Sequence, residues 1–139
     1  MIISLNIKLI DGMYFEEHWK CEMELDDNET LEDLHFLIQE AVGFKNDHLY
    51  EFYVARTDRS FDRERFEHDD LYQIERSLKD IFPLAKNRKL FYWFDYGDDW
   101  KFQISRTRKK PKEPKPGQGY PTLVSEEGVK PTQYPTVEC

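Results

Sequence analysis

Two stretches of strict alternation open the chain and limit what it can fold into. Ile3, Leu5, Ile7 and Leu9 fall on one side of an extended backbone, with Ser4, Asn6 and Lys8 on the other. Asp11-Gly12 follows, a dipeptide suited to a two-residue hairpin because both turn positions take positive φ. On the return, Phe15, Glu17, Trp19, Cys21, Met23 and Leu25 share a face, and Glu16, His18, Lys20, Glu22 and Glu24 share the opposite one. Only Glu17 interrupts the apolar side. A hairpin with one oily face needs a cover.

The next segment supplies that cover. Thr30 can cap a helix with Asp33 three residues on, and Glu32 and Asp33 suit the positive end of its dipole. Leu31, Leu34, Ile38, Ala41 and Val42 recur at helical spacing, His35 lies beside that stripe as a boundary residue, and Gly43 is a natural stop. A third strand is predicted over His48–Ala55, and residues 56–70 form a charged insertion without period, expected as an exposed loop. A short helix over Leu71–Phe82 ends at Pro83. Leu90–Asp95 and Trp100–Ser105 then make a second hairpin around Tyr96-Gly97-Asp98-Asp99. From Lys109 onward proline and lysine dominate, which predicts an extended polyproline-like tail. The expectation is an α+β fold: a β-grasp-like mixed sheet crossed by one main helix, with an extra C-terminal hairpin. The domain covers residues 1–105 and the basic, Pro-rich tail 106–139.

Length and composition narrow the class. A chain of 139 residues suits one domain. Its 10 Phe, 8 Tyr and 3 Trp exclude a disordered chain, although a mean hydropathy of −0.82 would allow one. The longest apolar run, Leu90–Phe94, is far too short to span a membrane, and the N-terminus carries no basic-then-apolar leader. Cys21 and Cys139 sit in no C-x-x-C pair, which argues against a zinc ribbon or redox motif. A cytoplasmic location with reduced thiols, Cys139 exposed, is the default expectation.

Two segments resemble a known family. Ala41-Val42-Gly43-Phe44 followed by Asp47-His48-Leu49-Tyr50-Glu51-Phe52, and then Phe91-Tyr92-Trp93-Phe94-Asp95-Tyr96-Gly97-Asp98-Asp99-Trp100-Lys101-Phe102-Gln103-Ile104, are similar to the plasmid pRiA4b ORF-3-like family, also labelled an insertion-element passenger, TnpR-like. The likeness covers roughly residues 3–105. Phe102 stands where that family usually has a histidine, and its Cys- and Pro-Pro-rich ending is only faintly echoed. What the resemblance implies is a recurring fold among mobile-element neighbours, without a catalytic residue to transfer.

Candidate sites gather on the second hairpin. Asp95, Asp98 and Asp99 lie within five residues and offer the oxygen ligands that Mg²⁺ or Mn²⁺ prefer, with His48 and Glu51 able to join from the third strand. Asp and Gly are also turn formers, and that reading of the segment is favoured. Asp95 is expected on one strand face with Phe91 and Trp93, where an acid needs a partner or water. His18 and Cys21 look like a metal pair but point to opposite faces of a strand. No calcium loop, phosphate loop or serine elbow is present.

Charge adds one more feature. Residues 1–105 hold 13 Lys/Arg against 24 Asp/Glu, whereas residues 106–115 carry six positive charges and one negative. Arg106, Arg108, Lys109, Lys110, Lys112 and Lys115 can contact phosphates. A solvated linker, or a clamp onto the acidic body, is the favoured alternative. The leading functional expectation is a non-enzymatic interaction module that binds a protein or a small acidic or polar partner through His48, Tyr50, Asp95, Asp98 and Trp100. A Mg²⁺- or Mn²⁺-dependent nuclease or phosphoesterase built on Asp95, Asp98 and Asp99 is the second, with His48 as base. Nucleic-acid binding through the tail is the third.

Overall fold

The N-terminal alternation becomes β1 (Ile2–Asp11) and β2 (Trp19–Asp26), paired antiparallel from Ile2 opposite Asp26 to Lys8 opposite Lys20. The computed structural model describes residues 1–135. The connection is not the two-residue turn expected. Residues 12–18 form a longer loop that crosses the second hairpin, tied to it by Met13 N–H donating to the Asp98 carbonyl at 2.7 Å. Gly12 is needed there for space: a Cβ on it would stand 2.5 Å from Cε3 of Trp100. The predicted strand start at Phe15 therefore moves to Trp19, and Phe15 lies exposed in the loop.

Helix α1 (Leu31–Val42) has the predicted ends. The Asp33 N–H donates to Thr30 Oγ1 at 3.1 Å, the Thr30 N–H donates to Asp33 Oδ2 at 2.9 Å, and Gly43 closes the helix with φ 80°. Strand β3 (Tyr50–Ala55) follows. The charged insertion holds a strand that was expected to be loop, β4 (Glu64–Glu67), with Phe66 buried and Arg65 gripping Glu51 of β3. The predicted helix over 71–82 is two single turns, α2 (Leu71–Ile74) and α3 (Leu78–Ile81). Strands β5 (Lys89–Phe94) and β6 (Trp100–Arg106) form the second hairpin.

The expected tail also contributes structure. Residues 122–128 form β7 (Thr122–Gly128), which pairs with β2 and is pinned by Trp19 Nε1 donating to Glu126 Oε2 at 2.7 Å. The sheet therefore has seven strands in the order β4-β3-β5-β6-β1-β2-β7. Among the described residues every strand pairing is antiparallel, so the expected mixed sheet is not formed.

Alternation sorts the core onto the two faces of the sheet. Leu5, Ile7 and Leu9 of β1, Trp19, Met23 and Leu25 of β2, and Tyr92, Phe94 and Phe102 of the second hairpin pack with Leu31, Leu34, Ile38 and Val42 of α1. Tyr53, Ala55 and Phe91 make a small cluster of their own with Ile10 and Trp93. Among the described residues no helix is long and apolar enough to cross a membrane.

Candidate functional site

Four segments meet at one end of the sheet. They are the α1–β3 connector, the β5–β6 turn, the 12–18 loop and the stretch that follows β7. Asp95 N–H donates to the Leu49 carbonyl at 2.9 Å, and Val129 N–H donates to the His18 carbonyl at 3.0 Å. This junction carries the strained backbone. Asn46 (φ 52°), Asp95 (φ 61°) and Asp99 (φ 63°) are left-handed, three of the four non-glycine residues so placed among the described residues. Asn and Asp tolerate that region better than other side chains do.

Asp95 organises the turn. Strand β5 ends at Phe94, and the left-handed step at Asp95 breaks the alternation, so Asp95 does not share a strand face with Phe91 and Trp93 as expected. Its side chain is 7% exposed and is turned back on its own loop. Oδ1 accepts from Gly97 N–H and Asp98 N–H at 3.2 Å each, while Oδ2 lies 3.3 Å from His48 Nε2. The acid on an apolar scaffold thus has its partners. The turn reading is what the local geometry displays, with a histidine added.

His48 is the half-exposed centre of the cluster. Its Nε2 faces Asp95, the hydroxyl of Tyr134 at 2.6 Å and Asp47 Oδ1 at 3.8 Å. Tyr134 donates to Asp47 Oδ2 at 2.8 Å, which leaves the phenol oxygen to accept from a protonated His48 Nε2. Burial opposes charge on Asp47, but hydrogen bonds from Tyr134 and Gln133 outweigh it and hold the carboxyl below its usual range. Burial, then the neighbouring Asp95 carboxylate, raises Asp98, with His48 pulling the other way. Lost hydration and the Asp47 contact push Tyr134 up to about 12.

Other predicted site residues lie elsewhere. Trp100 is fully buried beneath Gly12 and against Phe44, its indole N–H without a partner among the described residues, and it offers no surface. Tyr50 is buried too, its ring under His35. Glu51 does not join His48: it is fully buried, and Arg65 holds it with two hydrogen bonds at 3.0 and 2.6 Å. Among the described residues no group of three His, Cys, Asp or Glu side chains is placed to hold a metal ion, Asp95, Asp98 and Asp99 included. Asp95 already uses Oδ1 on the backbone.

Sequence reasoning set His35 at a boundary; it is 1% exposed inside the core. Its Nε2 donates to Asn46 Oδ1 at 2.7 Å, its Nδ1 accepts from the Tyr92 hydroxyl, and Gln39 Nε2 donates to that hydroxyl at 2.9 Å. Gln39 Oε1 in turn accepts from Asn46 N–H at 2.9 Å, fixing the connector that presents Asp47 and His48. The signal was present in the spacing, since Leu31, His35, Gln39 and Val42 descend one helix face.

The basic strip lies against the body. Lys109 pairs with Glu22 and Lys112 with Glu24 at 2.8 Å, and Lys112 exchanges two backbone hydrogen bonds with Ile2. The Lys112 contact holds Glu24 below its usual range. Arg106 belongs to β6, and Arg108 and Lys110 make no ion pair among the described residues.

The fold is an α+β domain with an antiparallel sheet, and the sequence matches the family described as plasmid pRiA4b ORF-3-like protein over residues 2–133. The chain belongs to that family. It is similar in structure to the protein of unknown function MM3350 from Methanosarcina mazei Go1, with a TM-score of 0.71 and 20% identity over 90% of this chain and 68% of that one. At that identity the likeness shows the fold alone. No curated protein matches the sequence.

Proposed function

We propose that the chain is a binding module whose loop end takes the cationic group of a protein or small polar partner. The observation that supports this is the imbalance of charge around His48. Asp47 and Asp95 face its one imidazole, Asp98 stands beside Asp95, and among the described residues no lysine or arginine pairs with any of the three. A guanidinium or ammonium group would relieve that excess. Exposed Leu49, Tyr96 and Met13 around it offer apolar rim to a protein partner.

The other readings have less support. A metal-dependent nuclease or phosphoesterase asks for convergent carboxylates, and Asp95 is already committed to its own turn. Nucleic-acid binding through the tail competes with Glu22 and Glu24 for Lys109 and Lys112. A role beside mobile elements rests on the family's plasmid-derived description, and a cytoplasmic location on the buried, free Cys21.

Calorimetric titration with a tetra-arginine peptide tests the reading. Wild type binds, and Asp98→Asn weakens binding by about threefold or more, with affinity falling as salt rises. Equal binding by both proteins would remove the acid cluster from the account.

A further inference from the structure

We infer that the α1–β3 connector is a peptide dock for a Gln-Tyr pair, and that the chain's own C-terminal segment fills it. Gln133 is 7% exposed although it follows the last strand. Both ends of its amide are used: Oε1 accepts from Lys45 N–H at 2.8 Å, and Nε2 donates to Asp47 Oδ1 at 2.9 Å. Tyr134 takes the second oxygen of the same carboxylate and meets His48. One carboxylate, one backbone N–H and one imidazole thus read two consecutive side chains.

The chemistry is selective. Glutamate in place of the glutamine would set an acceptor against Asp47, and phenylalanine in place of the tyrosine would leave Asp47 Oδ2 without its donor. Pro131 and Pro135 flank the pair and restrict the backbone before docking, which lowers the ordering cost. Tyr134 remains 44% exposed, so the segment is held by a few polar contacts and can exchange. A partner presenting the same pair would displace it and uncover His48. The inference stands on the contacts of Gln133 and Tyr134, and holds whether or not a cation binds at Asp98.

The test uses the full-length chain in two forms, wild type and the Gln133→Ala/Tyr134→Phe double variant, followed by NMR. A tethered segment acts at an effective concentration of about millimolar, so an untethered peptide is titrated to about 10 mM. In the double variant the Lys45 amide and His48 ring resonances move. A synthetic Lys-Pro-Thr-Gln-Tyr-Pro peptide then returns them toward their wild-type positions, whereas the same peptide with Glu for Gln needs at least about tenfold more. Wild type, already filled, responds at least about tenfold more weakly. Unmoved Lys45 and His48 resonances in the double variant would overturn the dock, as would a peptide that restores nothing or acts equally on both proteins. Titration with tetra-arginine separates this from the acid-cluster reading, because its shifts centre on residues 95–99.

Discussion

The imidazole of His35 lies flat on the ring of Tyr50, with centroids 3.6 Å apart and planes within 3°. Burial holds the folded His35 pKa down to about 4, against 6.5 when solvated. The unfolded chain therefore binds more protons between those values. Stability from this group is complete above about pH 6.5, declines as pH falls, and is lost below about 4, in total about 3 kcal/mol. Thermal melts across that window should show Tm falling by several degrees. His35→Gln should flatten that part of the slope, and identical slopes for the two proteins would show that His35 does not carry it.

Gly12 and Trp100 make a contact that admits no side chain. A methyl at Gly12 would lie 2.5 Å from the indole, so either the 12–18 loop or the Trp100 ring must shift. Gly12→Ala is expected to cost about 1–3 kcal/mol, the range for overpacking a filled core. Chemical denaturation measures it; a loss within about 0.5 kcal/mol of zero would mean that the loop yields freely.

Cys21 is buried between β1 and β7, and burial, then Glu126, pushes its thiol up to about 12. A thiol so placed is a poor nucleophile. In a Cys139→Ser protein, a thiol reagent should label Cys21 only after denaturant is added. Cys139 itself lies outside the described residues. Rapid labelling of the native variant would show that β7 opens readily.

What the sequence disclosed follows from where the physical signal is strong. Strands β1 and β2 are covered on one face, so their alternation is legible, and the capping box at Thr30 and Asp33 marks α1 to the residue. The two strands at the sheet's ends were missed for a common reason. Glu64–Glu67 and Thr122–Gly128 pair on one side only, and of their side chains only Phe66 is fully buried, so neither carries a clear period. The site was half legible. His48 and Asp95 meet because the turn and the connector are neighbours. Trp100 and Tyr50 do not reach the surface: the 12–18 loop covers one and His35 the other, and the first cover comes from a distant part of the chain. Tyr134 and Gln133 escaped notice because nothing local announces contacts made across more than 80 positions.

The most direct test of the account is a map of where a cation binds. Amide shifts of the labelled full-length protein would be followed during titration with tetra-arginine at low salt. Perturbations centred on residues 95–99 and lost in Asp98→Asn are expected. Shifts centred instead on the acidic outer face of β2 and β7, or shifts unchanged by Asp98→Asn, would contradict it.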